Sequence, residues 1–211
     1  MVQTVPATEA TLYQLKQALG LSKSQDLEFF TEWQTSGTDI NQAERVLLDR
    51  VQTNFLALME DPPMLENSVK MVVLAPLLDI CGFYRKPFKI ETETSTQIEM
   101  QDEGITIRGR IDVLVMKDRL WLLVIESKRS DFAVSRAIPQ ALSYMLSNPS
   151  NQPNFGLITN GHEFLFLKTE LQPTAIYDNS RLFSLLNPQN ELYSVIQILK
   201  LLGLKQIAQG D

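Results

Sequence analysis

Three ionisable residues in GRIDVLVMKDRLWLLVIESK, residues 109–128, are spaced so that they can act together: Asp112, Glu126 and Lys128. The run LWLLVI has no polar residue to mark a solvent face, so it reads as a strand buried on both sides. Residues two apart on a strand share a face, so Glu126 and Lys128 point the same way. Burying such charges is costly unless they are paired or hold a metal. If the turn before this strand is centred on Arg119, Asp112 lies opposite Glu126, with the side chains about 5 Å apart. A slip of one residue would undo that register. Two adjacent carboxylates repel each other, and oxygen ligands without histidine or cysteine suit magnesium or manganese. The plain alternative is an ion pair at a solvated strand end, worth under about 1 kcal/mol. Hairpin spacing, the unbroken apolar strand and a turn-like Gly109-Arg110 favour the chemical reading.

Much other chemistry is excluded. Cys81 is the only cysteine, so no internal disulfide or cysteine zinc site can form. His162 is the only histidine, in TNGHEF, where Asn160-Gly161 looks like a hairpin turn and the histidine reads as a surface residue. HExxH, serine triads and Cys-His dyads each lack a member, and no GxxxxGK[ST] phosphate loop occurs. The longest mostly apolar stretch, MVVLAPLLDICGF, is broken by Pro76 and Asp79 and is shorter than the roughly 18 residues of a membrane helix. MVQTVPATEA lacks the pattern of a signal peptide, so a cytoplasmic protein with no membrane partner is expected.

The elements that must position the three residues are legible from periodicity. The 211 residues suit a single domain: a helical extension over 1–63, a core over 64–170, and a C-terminal strand and helix over 171–211. TEATLYQLKQALG has helical spacing and stops at Gly20, and SQDLEFFTEW is a second short candidate. Apolar residues recur every three or four positions from Ile40 to Met59, ahead of Asp61-Pro62-Pro63. A further helix is expected from Met64 to Ile80, kinked or thinned at Pro76 and stopping at Gly82. The period then changes: KIETETSTQIEM and ITIRGRIDVLVM read as strands around a QDEG turn, followed by LWLLVIESK. A helix over 133–146, the hairpin NFGLITNGHEFLFLK, a short strand near Arg181–Leu185 and a helix over 189–208 complete the chain. The expected class is α/β (α+β): a central mixed sheet flanked by helices, with a helical N-terminal extension.

GRIDVLV followed by VIESK resembles the PD-(D/E)XK nuclease superfamily in its D-x(n)-ExK form, and in particular the N-terminal nuclease domain of type I restriction enzyme R subunits. ENSVKMVVLAPLLDICGFY is similar to that family's first core helix, with its leading Glu66 and PLL…G ending. IPQALSYM carries Gln140 and Tyr144 in the place of the family's QxxxY element. Ile111 stands where the superfamily's name has proline, a frequent variation. The resemblance covers about residues 66–168.

That resemblance implies a restriction-endonuclease-like fold and a metal-dependent endonuclease using Mg2+ or Mn2+ to hydrolyse DNA phosphodiester bonds. Asp112 and Glu126 would bind the metal, with the Ser127 carbonyl as a further ligand. Lys128 would position water and steady charge on the phosphate, and Glu66 would lie near the metal. Gln140 and Tyr144 would orient the substrate strand or brace the site; packing on one helix face is their plain alternative. Glu44 is a rival to Glu66 but reads as a solvated charge on a more distant helix.

Charge bears on the partner. The net charge is −6, yet residues 105–136 hold seven Lys/Arg against four Asp/Glu. Arg108, Arg110, Arg129 and Arg136 are candidates for contact with a DNA backbone. Weak intrinsic affinity is expected, with a homodimer or restriction-modification partner subunits supplying the rest, since no ATP motor motif is present. The stripe Leu192, Val195, Ile196, Leu199 and Leu202 could make a dimer interface or pack on its own sheet. The alternative function is a non-catalytic DNA- or protein-binding module that retains the nuclease fold.

Overall fold

A computed structural model describes residues 3–34, 38–60, 63–100, 105–117, 120–148, 150, 153–171 and 174–208. Its centre is a mixed sheet, with helices on both faces, of nine strands among the described residues. These are β1 Gln3–Pro6, β2 Ser22–Lys23, β3 Phe88–Met100, β4 Ile105–Lys117 and β5 Leu120–Ser127, then β6 Asn154–Thr159, β7 Glu163–Glu170, β8 Ile176–Asn179 and β9 Phe183–Ser184. The main order is β1-β4-β5-β6-β7-β8-β2, with β3 also pairing β4 and β9 pairing β7. The central β5 pairs antiparallel with β4 and parallel with β6, which accounts for its continuous apolar run.

Helices α1 Leu12–Leu19 and α2 Gln42–Leu58 both begin with capping boxes, Thr11 with Gln14 and Asn41 with Glu44. Leu48, Val51 and Phe55 of α2 enter the core on one sheet face. The same face takes Val69 and Val73, Leu77 of α4 (Ala75–Ile80), and the α6 (Leu192–Ala208) stripe Leu192, Val195, Ile196, Leu199 and Leu202. That stripe is therefore used internally and offers no dimer surface. The opposite face is covered by Leu15 of α1 and by Ala141, Leu142 and Met145 of α5 Ile138–Leu146.

Several local outcomes depart from the periodicity. Residues 1–63 hold α1 and α2 but also contribute β1, parallel to β4, and β2, parallel to β8. SQDLEFFTEW forms turns, not a helix: the Lys168 ammonium takes the Phe29 carbonyl that a helix would have used internally. Gly109 and Arg110 lie within β4 and make no turn. Here glycine permits a close approach, because a Cβ at 109 would come within 2.5 Å of Tyr144 Cε1 and 2.6 Å of Ala7 Cβ. His162 is half-buried against the Phe55 ring and its pKa is lowered by desolvation, so it is no surface residue. The QDEG turn and the Asp118-Arg119 pair lie outside the described residues.

The helix expected over 64–80 is α3 Glu66–Val69 joined to α4 through a π turn, Lys70–Leu74. Pro76 explains the interruption: it has no N–H and its ring crowds the carbonyl four residues earlier. The ladder widens, and the Ala75 N–H reaches the Lys70 carbonyl instead. The kink expected at Pro76 is thus taken up in the preceding turn, at Lys70.

Candidate functional site

The β4–β5 pair sets the site. At the turn end, Lys117 faces Leu120 and Met116 faces Trp121. An irregularity between Val115 and Met116 shifts the register by one, so that Val115 faces Leu123 and Val113 faces Ile125. Continued by one step, that register sets Asp112 opposite Glu126, the relationship expected for a hairpin centred on Arg119. The ladder stops at Val113 with Ile125, and a side chain takes over: the Ser127 N–H donates to Asp112 Oδ2 at 2.8 Å.

Glu126 is 2% exposed. Its Oε1 accepts from Lys128 Nζ at 2.6 Å and from Gln140 Nε2 at 2.7 Å. Its Oε2 is buried with no hydrogen-bond partner. Burial raises the Glu126 pKa to about 7; the Asp112 charge pushes the same way and Lys128 opposes it. Lys128, itself 8% exposed, lies 5.6 Å from the Phe132 ring centroid, and its backbone N–H donates to the Thr159 carbonyl on β6. Two buried polar atoms here have no hydrogen-bond partner among the described residues: Glu126 Oε2 and, on the next residue, Ser127 Oγ.

Gln140 and Tyr144, one turn apart on α5, both reach this cluster. The Gln140 amide nitrogen donates to Tyr144 Oη at 2.9 Å as well as to Glu126. Tyr144 lies against Gly109, and its pKa is pushed up to about 12 by burial and then by the Glu126 charge. Helix α3 approaches from the other side. The loop after β5 anchors its start, with Ser130 Oγ accepting the Met64 N–H at 2.9 Å and the Ser130 N–H donating to the Met64 carbonyl at 3.1 Å. Glu66 is half-buried, and its charge raises the pKa of both Glu126 and Lys70. Glu44 does other work: it closes the α2 capping box and pairs with Lys200 at 2.6 Å.

The arginines lie farther out. Arg108 and Arg136 are exposed, Arg129 pairs with Asp131 at 3.0 Å, and Arg110 pairs with Glu93 at 3.2 Å. None of the four pairs with Asp112 or Glu126.

Two residues at the site escaped the sequence reading. Lys70 Nζ donates to Asp112 Oδ1 at 2.6 Å and stands 3.7 Å from Glu93 Oε1. Burial disfavours the Lys70 ammonium, but its hydrogen bond and charge interaction with Asp112 prevail and raise its pKa. A usable signal for Lys70 existed: it is the lone charge in SVKMVVLAPLL and sits four residues after Glu66. Glu93 had none. It lies in β3 between Thr92, paired with Val113, and Thr94, paired with Ile111, so the register brings it beside Asp112. Its φ of 56° is an uncommon backbone conformation that no residue pattern announces.

Among the described residues no group of three His, Cys, Asp or Glu side chains is arranged to hold a metal by itself. No helix among them is long and apolar enough to cross a membrane.

Known proteins add the family. No curated protein matches the chain. A solved fragment described as an HsdR subunit of a type I restriction enzyme from Vibrio vulnificus YJ016 is similar at 19% identity and a TM-score of 0.42. That match covers 65% of this chain and 26% of the other. The family described as type I restriction enzyme R protein N terminus matches residues 7–174, which spans α1 through β7 and every residue of the cluster. The chain belongs to the type I restriction enzyme R protein N-terminal family, in keeping with the PD-(D/E)XK pattern of its Asp112, Glu126 and Lys128.

Proposed function

We propose that this chain is a divalent-metal-dependent endodeoxyribonuclease domain whose centre is Asp112, Glu126 and Lys128. The observation that carries the reading is the buried, partnerless Oε2 of Glu126, at the point where β4 and β5 part beside the Asp112 carboxylate. A buried carboxylate oxygen without a donor is costly, and a hard cation satisfies it. The donor set fits Mg2+ or Mn2+: the Asp112 and Glu126 carboxylates and the Ser127 carbonyl, with Glu66 reaching the metal through water. Mg2+ commonly keeps several waters, so two protein carboxylates suffice.

When bound, the metal supplies Lewis acidity at a phosphate oxygen and acidifies an attacking water. The chain's own residues do the rest. Lys128 holds a positive charge beside the scissile phosphate and steadies the negative charge that develops there. Gln140 fixes the Glu126 carboxylate, and Tyr144 braces Gln140. Arg110, Arg129 and Arg136 contact the DNA backbone and give the salt dependence of binding. The substrate is DNA and the setting a restriction-modification assembly in the cytoplasm, where partner subunits or a second copy supply the grip that a net charge of −6 does not.

The test is nicking of supercoiled plasmid in Mg2+ and in Mn2+, with Lys128→Ala and Asp112→Ala in parallel. Metal-dependent cleavage lost in both variants is expected. Manganese binding without cleavage would point to a missing partner. Neither binding nor cleavage would leave a binding module that keeps the nuclease fold.

A further inference from the structure

Lys70 uses an oxygen that a cation on Asp112 would need. Asp112 has two carboxylate oxygens: Oδ2 takes the Ser127 N–H and Oδ1 takes Lys70 Nζ. The Ser127 bond closes the β4–β5 ladder and belongs to the sheet. The Lys70 bond belongs to a side chain on a neighbouring helix and can be exchanged.

A second acceptor for Lys70 is already in place. Glu93 Oε1 is 3.7 Å from the ammonium, against 2.6 Å for Asp112. Glu93 keeps an uncommon backbone conformation in the middle of a 13-residue strand, beside Asp112 on the next strand. A glutamate at φ 56° carries a conformational cost, and such residues cluster where the local geometry serves a site. The π turn that begins at Lys70 is a second irregularity of the kind found at functional positions. Two departures from regular structure, on two elements, thus meet at one ion pair. The other charges facing Lys70 are Glu66, which favours its ammonium, and Arg110, which already holds the other Glu93 oxygen at 3.2 Å.

We propose that Lys70 is a positioning residue that acts as an internal cation: it holds Asp112 until a divalent metal arrives, then passes to Glu93. This rests on the metal reading above and deepens it. Lys70 and Glu93 together set the metal concentration at which the site loads, and neither is a metal ligand. Keeping Asp112 paired with an ammonium also spares the site two unscreened carboxylates, Asp112 and Glu126, at the end of one buried strand pair.

The test is calorimetric titration of Mn2+ into the full chain, without DNA, for wild type, Lys70→Met, Glu93→Gln and the double variant. Lys70→Met is expected to bind Mn2+ about tenfold more tightly, because the competing cation is gone. Glu93→Gln is expected to weaken binding severalfold in wild type and to have no effect in the Lys70→Met background. Lys70→Arg should retain the wild-type constant to within about threefold. Equal weakening by Glu93→Gln in both backgrounds would make Glu93 a ligand or a plain field effect and overturn the exchange. Unchanged affinity in Lys70→Met, with Lys70→Gln giving the same answer if the methionine variant does not fold, would overturn it too. No Mn2+ binding by any variant would remove the metal reading and this inference with it; binding by wild type with no coupling would remove this inference alone.

Discussion

Gln140 holds Glu126 by a 2.7 Å hydrogen bond from its amide nitrogen, and the same nitrogen donates to Tyr144 Oη at 2.9 Å. The first bond favours the charged form of a carboxylate whose pKa burial has raised to about 7. Gln140→Leu removes a donor to that charged form, and hydrogen bonds to charged groups are worth about 1.5–3 kcal/mol. The pH midpoint for manganese binding should then rise by about one unit, since one unit corresponds to about 1.4 kcal/mol. Tyr144→Phe keeps the Gln140–Glu126 bond and should leave the midpoint in place. A midpoint unmoved by Gln140→Leu would make Gln140 a packing residue.

The raised Glu126 pKa also couples folding to pH. The folded chain holds a proton on Glu126 up to about pH 7, whereas its ordinary value is 4.5. The folded state therefore binds the proton more tightly than the unfolded state. Stability from this group is complete below about pH 4.5 and lost as pH rises to about 7. Metal binding runs the other way, because the ligand is the carboxylate, so Mn2+ affinity should climb with pH and level off above about 7. Thermal melts with a chelator, set against melts in manganese, should show opposite pH trends. Glu126→Gln should flatten both, and a slope that survives this change would belong to another group.

The carboxylate pair was legible in the sequence, and the ion pair that guards it was not. Period-two spacing and an apolar run identified β5, and an assumed turn centre set Asp112 opposite Glu126. The register reached that alignment by another route: the strand ends pair one residue out of step, and an irregularity near Val115 restores it. Sheet irregularities of this kind depend on side chains packing from both faces, which alternation does not encode. Strand β1 is only four residues long, and β2 only two, so neither has enough length to show a period. Lys70 was missed because helical spacing says which residues share a face but not where a π turn will re-aim them. Glu93 was missed because its role depends on one backbone angle.

The absence of a side chain at 109 is a condition for the Tyr144 position. A methyl group there would press on the Tyr144 ring at 2.5 Å and on Ala7 Cβ at 2.6 Å, from two different elements. Gly109→Ala should cost about 1–3 kcal/mol through overpacking, seen as a lower midpoint in urea. Pairing it with Tyr144→Ala should recover part of the loss, because one of the two crowding groups is then removed. No recovery would place the crowding at Ala7 and the β1 connection instead.

Glu66 and Glu44 were rival acidic residues at helix starts, and the fold gives them different surroundings. Glu44 receives the Asn41 N–H at 3.0 Å and the Lys200 ammonium at 2.6 Å. Loss of its cap contact should cost about 1 kcal/mol and leave metal affinity unchanged. Glu66 lies at the start of α3 within electrostatic reach of Glu126 and Lys70. Glu66→Gln should weaken Mn2+ binding severalfold, because it removes a negative charge beside the cation. It should also lower the Glu126 pKa, since the Glu66 charge helps to raise it, and so move the pH midpoint of binding downward. The two effects have opposite consequences below pH 7, which makes the pH series more informative than one titration. Weaker binding at high pH with a lower midpoint is the expected pair. Weaker binding in Glu44→Gln and none in Glu66→Gln would move the acidic contribution to α2 and require a different approach of that helix to the site.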